Sequence, residues 1–200
     1  MASAMKKVEL SEVKNIYEYE KIRNDFRQYI IDLKKKRRIS VGDRISLVFE
    51  NHDTVLFQIQ EMMRAERMVD EEEIKFEVDT YNELIPEKDE LSATLFIEVD
   101  DPQLLKPVLD SLIGLDRGNY VYLQIGDKHK IYAQFEEGHS KEDRISAVHF
   151  IKFKFKPEQI EDFKDFNNEL KIVIEHPNYK AYAVINDEMR KELIKDFESD

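Results

Sequence analysis

The first 86 residues carry apolar side chains at the spacing of an α-helix. Between residues 18 and 37 the apolar positions recur three or four residues apart, at Ile22, Phe26, Tyr29, Ile30 and Leu33. This spacing predicts an amphipathic helix over residues 18–37, and the same pattern predicts a longer helix over residues 44–68. A third helix is predicted over residues 70–84, because acidic residues favour its start and Pro86 its end.

From residue 92 onward, alternation replaces the helical spacing. It predicts strands over residues 92–99, 120–125, 130–135, 145–155, 170–175 and 179–185, and the intervening segments predict helices over residues 102–113, 157–168 and 187–197. Two of the turns have the composition of tight hairpins, which join antiparallel strands. We therefore expect an α+β fold, with N-terminal helices packed with a largely antiparallel β-sheet and further helices. Residues 1–86 would form the helical part and residues 87–200 the α+β antiparallel-sheet part of one compact unit.

Composition limits the chemistry that the chain can perform. The 200 residues include no Cys, which excludes disulfides, thiolate metal sites and Cys nucleophiles. Hydrophobic residues make up 42% and charged residues 37% of the chain, which favours a folded domain with a charged surface over disorder. No apolar stretch reaches the length of about 18 residues that a membrane span needs, and the start lacks the apolar segment of a secretory signal. We expect a cytoplasmic protein without a membrane partner.

Charge is unevenly distributed along the chain. The formal net charge is −12, and residues 41–100 alone hold 17 acidic and 5 basic side chains. Residues 34–38 are five consecutive cations at the end of the first predicted helix. Either they bind an anionic partner or nucleic acid, or they complement the helix dipole and remain in solvent. The sequence pI of about 5.0 favours the second interpretation, so we expect no nucleic-acid partner.

The polar faces of the second and third predicted helices hold the candidate binding residues. These are Glu50, Asp53, Gln58, Gln60, Glu61, Arg64, Arg67, Glu77, Tyr81 and Asn82. Three interpretations remain open: carboxylates that bind a hard metal ion or exchange protons, an arginine fork for a carboxylate or phosphate, and an interhelical salt-bridge network. The two helices lack the Glu-x-x-His pair of bundle metal sites. We therefore predict no metal ligands and no cofactor, and we assign no catalytic residue.

Two histidines lie on predicted apolar faces. His52 falls in the apolar stripe of the helix over residues 44–68, and His149 falls on the apolar face of the strand over residues 145–155. Buried polar groups are normally hydrogen-bonded. We therefore expect both histidines to be hydrogen-bonded core residues.

Several segments resemble a known bacterial family. Residues 50–67 read ENHDTVLFQIQEMMRAER, and shorter matches are DTYNELIP at 79–86, ELSATL at 90–95, SAVHF at 146–150 and HPNY at 176–179. These segments are similar to the family of unknown function DUF3501, across nearly the whole chain. The resemblance implies an association with rubrerythrin-type and iron–sulfur oxidoreductase proteins. It therefore implies a non-enzymatic accessory protein in a redox or oxidative-stress system. A carboxylate- and arginine-lined enzyme that binds a metal or a small anion is the alternative, and the oligomeric state stays open.

Overall fold

The computed structural model describes residues 5–137 and 145–198. The α-helices of this part are α1 (Ile16–Lys35), α2 (His52–Glu66), α3 (Glu71–Tyr81), α4 (Pro102–Ser111), α5 (Pro157–Lys164) and α6 (Asp187–Glu198), with 3-10 turns at Leu10–Glu12 and Asn82–Leu84. The strands are β1 (Arg38–Val41), β2 (Ile45–Phe49), β3 (Glu90–Ile97), β4 (Val121–Ile125), β5 (His129–Tyr132), β6 (Gln134–Phe135), β7 (Val148–Lys154), β8 (Leu170–His176) and β9 (Tyr179–Val184). No helix in this part of the chain is long and apolar enough to cross a membrane.

The strands form two antiparallel sheets. One has the order β1-β2-β3-β7-β6 and the other has the order β5-β4-β8-β9. The predicted α+β class and the antiparallel pairing are therefore confirmed, as are the hairpins β4–β5 and β8–β9. The predicted helices over residues 18–37, 102–113, 157–168 and 187–197 are present with small shifts at their ends.

The helix predicted over residues 44–68 is wrong in its first part. Ile45–Phe49 is the strand β2, which lies between β1 and β3, and all five of its residues are buried. A strand that is covered on both faces loses its polar alternation, so its apolar run merged with the stripe of the following helix. The helix starts only at His52. Its start is fixed by Asn51, whose side chain accepts a hydrogen bond from the Thr54 amide at 3.0 Å.

Two hydrophobic cores hold these elements together. The larger core includes the inward faces of both sheets together with apolar side chains of α5 and α6. The smaller core joins Met5 and Val8 to α2 and α3. Because β1 and β2 come from before residue 86 and pair with β3 from after it, the two predicted parts share a sheet. Their description as two parts of one unit stays a prediction.

Candidate functional site

The polar face of α2 packs against α1. Glu61 accepts hydrogen bonds from the Tyr19 hydroxyl at 2.7 Å and from the Arg23 guanidinium at 2.8 and 3.0 Å. The Arg23 hydrogen bonds lower the pKa of Glu61, whereas burial, followed by the Glu61 contact, raises the pKa of Tyr19. Arg64 donates to Glu20, also on α1. These contacts fix how α1 crosses α2, as an interhelical salt-bridge network does.

Two of the candidate binding residues, Gln60 and Asn82, use their side-chain amides to bind the N-terminal segment, which we define as residues 5–15. The Gln60 side chain accepts from the Lys14 amide at 2.7 Å and donates to the Lys14 carbonyl at 3.0 Å. Asn82 does the same with Val8, at 2.8 and 2.9 Å. Each amide thereby satisfies both backbone groups of one residue, as a neighbouring strand would. They hold the segment across α2 and α3.

Glu50 lies beneath the start of α2, apart from the other predicted carboxylates. It is buried, and its carboxylate accepts from the hydroxyls of Thr54 and Thr94. Thr94 belongs to β3, so this contact joins the central sheet to α2. Glu50 is therefore a buried residue that connects α2 to the sheet.

The remaining predicted residues lie at separate places. Arg67 is the C-cap of α2, in the left-handed conformation with φ 52°. Gln58 hydrogen-bonds Tyr81, whose pKa is raised chiefly by burial. Tyr81 and Asn82 line a cleft of about 660 Å³ beside β6 and β7, whereas Glu77 lines a groove between α2 and α3. The ten predicted residues therefore do not converge on one point.

Metal coordination has no ready ligand set in the described part of the chain. Residues 5–137 and 145–198 contain no group of three or more His, Asp or Glu side chains placed to hold one ion. The predicted carboxylates Asp53, Glu61 and Glu50 are each hydrogen-bonded to different partners instead.

His52 lies at the start of α2, in an ionic cluster, and not in an apolar helix stripe as the sequence suggested. Its two ring nitrogens are 2.9 Å from carboxylate oxygens of Asp53 and of Glu12. Tyr29 of α1 donates to the other oxygen of Asp53 at 2.6 Å. The Asp53 hydrogen bond, with a further contribution from Glu12, raises the pKa of His52. With one ring nitrogen hydrogen-bonded to Asp53 and the other in ionic contact with Glu12, the imidazole joins the N-terminal segment to α2.

We predict that His52 makes stability depend on pH. Because its pKa is raised on folding, its contribution is fully present below the unfolded pKa of about 6.5 and is lost as the pH rises through the folded pKa. Relative to His52→Gln, the unfolding free energy of the wild-type protein should therefore fall as the pH rises from roughly 6 to 9. Urea unfolding followed by circular dichroism measures this. Parallel pH profiles of the two proteins would refute the assignment.

His149 matches the prediction of a core histidine. It is buried in β7, its Nε2 lies 2.7 Å from the Ser146 carbonyl oxygen, and its ring packs edge-on against Phe135.

Arg37 is buried, although the sequence places it in a run of five cations that we expected to remain in solvent. The helix α1 ends at Lys35, and Arg37 follows its C-cap with no exposed surface. Its guanidinium donates to the Phe49 carbonyl at 2.7 Å and to the carboxylates of Glu192 and Asp196 on α6. The basic run is therefore not one uniform surface. Its partners Glu192 and Asp196 are four residues apart on one side of α6, but the sequence does not indicate which cation they bind.

A groove at the tip of the α2–α3 hairpin is open to solvent. This α2–α3 groove has a volume of about 600 Å³ and is lined by Met62, Glu66, Met68, Glu72, Glu73, Phe76 and Glu77. Phe76 is 68% exposed, and Val69 in the connecting loop is 84% exposed. The described lining combines an apolar floor with four glutamates and holds no basic side chain. Such an apolar surface with a polar rim is typical of a contact site for another molecule.

Comparison with known proteins gives a family and a structural relative. The family model described as "Protein of unknown function (DUF3501)" matches residues 7–197. A crystal structure of a protein of unknown function from Burkholderia pseudomallei K96243 is 29% identical, with a TM-score of 0.88, and the match covers 96% of this chain and 99% of the other. No curated protein matches the chain.

Proposed function

The chain belongs to the DUF3501 family, and from this premise we propose that it is a non-enzymatic accessory protein that binds a partner protein through the α2–α3 groove. The partner would be a rubrerythrin-like or iron–sulfur oxidoreductase protein, as the family resemblance implies. The setting would be cytoplasmic redox or oxidative-stress metabolism. A chain without Cys has no thiolate of its own to ligate an iron–sulfur cluster, so the electron-carrying group would belong to the partner.

The exposed apolar floor of the groove is the observation that carries this proposal. Phe76 and Met68 lie where folding leaves them in contact with water, and aromatic and Met side chains are enriched at protein interfaces. The four glutamates around them favour a partner surface with basic residues around an apolar anchor. Complementary charge of this kind raises the association rate at low ionic strength.

The contacts of the predicted site support a binding role over chemistry on α2. The side chains that would act as acids, bases or anion ligands are already engaged, Glu61 with Arg23 and Asp53 with His52 and Tyr29. Each hydrogen bond joins α2 to a neighbouring segment or caps its first turn. The α2 helix therefore acts as a rigid support for the groove at its C-terminal end.

We predict that Phe76→Ala abolishes most of the partner affinity without affecting folding. Loss of an aromatic anchor costs at least about 2 kcal/mol at a protein interface, or roughly 30-fold in Kd, whereas the exposed position should leave stability within about 0.5 kcal/mol of wild type. The measurement is isothermal titration calorimetry of each variant with a purified rubrerythrin-like protein and with a purified iron–sulfur oxidoreductase, at low salt.

Tyr17→Ala provides the matched control. Tyr17 is 71% exposed, close to the value for Phe76, but it lies on the separate helix α1. It should leave partner affinity unchanged. The proposal fails if neither partner binds wild type at low salt, or if both variants reduce affinity to the same extent.

A further inference from the structure

The outer face of the sheet β5-β4-β8-β9 carries a row of aromatic side chains. Pairing places Tyr122 opposite Tyr132 on one side and opposite Val173 on the other, and Val173 opposite Tyr182. The row therefore runs across all four strands on one face. The rings of Tyr122 and Tyr132 are 5.4 Å apart, and from β5 to β9 the row covers three strand spacings, or about 14 Å.

Lysines occupy the neighbouring positions of the same face. Gln124 pairs with Lys130 and with Lys171, so a second row runs beside the tyrosines. The Lys130 ammonium lies 5.0 Å from the centre of the Tyr122 ring, and the Lys171 ammonium lies 5.2 Å from that of Tyr182. The buried Tyr122 ring and the exposed Tyr182 ring thus each lie beside a lysine ammonium.

The charge of this face is opposite to that of the whole chain. Its outward positions in the four strands are Tyr122, Gln124, Lys130, Tyr132, Lys171, Val173, Glu175, Lys180, Tyr182 and Val184. They include three lysines and one glutamate, whereas the chain carries −12. Because successive strand residues point to opposite faces, these three lysines lie on the same face of the sheet. The net charge and the pI of the chain do not reveal this placement.

The two ends of the tyrosine row are exposed among the described residues, whereas Tyr122 and Val173 in the middle of the row are 3% and 8% exposed. Tyr182 is 65% and Tyr132 41% exposed, and the opposite face of the same strands is buried in the larger core. Exposed tyrosines at two positions of one row leave ring surface available for another planar group.

We propose that this face binds single-stranded nucleic acid, with bases stacked on Tyr132 and Tyr182 and phosphates held by Lys130, Lys171 and Lys180. A four-stranded antiparallel sheet with aromatic side chains is a surface on which two or three bases stack. Stacking combined with a basic track needs no base-specific contact. The proposal concerns a different surface from the α2–α3 groove and does not depend on the proposed partner.

Fluorescence anisotropy with labelled oligo-uridine and oligo-thymidine of about 12 nucleotides tests the proposal. Tyr182→Ala should weaken binding roughly 5- to 160-fold, the range for loss of one stacked base. If three phosphates are neutralised, raising the salt from about 50 to 200 mM should weaken wild-type binding roughly 20-fold, and Lys130→Gln with Lys171→Gln should reduce that dependence. Stronger binding of one oligonucleotide would identify RNA or DNA as the preferred form.

Tyr17→Ala is the matched control. Tyr17 is 71% exposed on α1 and also has a lysine ammonium, that of Lys21, 4.4 Å from its ring centre. The Tyr17→Ala variant should bind the oligonucleotides as tightly as the wild-type protein does. Absence of binding at low salt overturns the proposal, as does equal weakening by Tyr17→Ala and Tyr182→Ala. Sedimentation provides a further test, because a dimer that Tyr182→Ala dissociates would show that a second copy covers this face.

Discussion

A protein in which methionine replaces Arg37 is expected to lose about 3–5 kcal/mol of its unfolding free energy. Arg37 is fully buried and holds Asp196 and Glu192 of α6 against the end of β2. Methionine fills a similar volume but leaves Asp196 without its paired cation, Glu192 with Lys195 alone, and the Phe49 carbonyl without its donor. Removal of one partner from a buried ion pair is costly because the remaining charge is uncompensated. Urea denaturation at pH 8 measures the loss.

Arg38→Met is the matched control for this measurement. Arg38 is the next residue, and its side chain is 49% exposed where it pairs with Glu98, so its loss should cost at most about 1 kcal/mol. Equal destabilisation by the two variants would contradict the burial of Arg37.

The pH dependence gives an independent test of the same contact. Burial raises the pKa of Asp196 to about 6, so in the folded protein Asp196 is mostly protonated at pH 5 and ionised at pH 8. A neutral carboxyl needs Arg37 less than a carboxylate does. The loss caused by Arg37→Met should therefore be smaller at pH 5 than at pH 8.

Most of the second half of the fold was predictable because its strands show a buried and an exposed face. In β9 the exposed side chains Lys180, Tyr182 and Val184 alternate with less exposed ones, and the turn before it marks a hairpin. In β2 the same rule fails. This strand lies between two others and is buried on both faces, and its one polar residue, Ser46, is buried too, so no exposed polar position reveals the period. Burial on both faces is a property of the assembled sheet.

The candidate site was predictable as a set of polar residues but not as an arrangement. The sequence placed Arg64 and Glu61 on one face of a helix, and the structure does so too. Their partners, Glu20 and Arg23, lie on α1, about 40 residues earlier. Helical spacing relates residues within one element and says nothing about which helix packs against it. Arg37 was hidden for the same reason, since its acids are on the last helix.

Arg190 also contacts a different element from the one on which it lies. Its replacement is expected to give the second large loss of unfolding free energy. This residue of α6 is 2% exposed. Its guanidinium donates to four backbone carbonyls in the last turn of α5 and the loop after it, at distances from 2.6 to 3.2 Å. These are the carbonyls of Asp162, Phe163, Asp165 and Asn168. The last carbonyls of a helix lack intrahelical donors, so Arg190 serves as the cap of α5 and orders the loop that follows.

Arg190→Met is therefore expected to lower the unfolding free energy by about 3 kcal/mol, because the carbonyls of Phe163 and Asn168 lose the donor that Arg190 supplies, at about 1–3 kcal/mol each, whereas those of Asp162 and Asp165 keep other donors. Arg190→Lys should recover only part of the loss, since an ammonium lacks the planar fork that reaches several carbonyls at once. Lys191→Met is the matched control, one residue later on the exposed side of α6, and it should stay within about 0.5 kcal/mol of wild type. Urea unfolding gives the free energies, and amide hydrogen exchange over residues 165–169 reports whether the loop loosens. If Arg190→Met unfolds like Lys191→Met, or if exchange in the loop is unchanged, Arg190 does not cap α5.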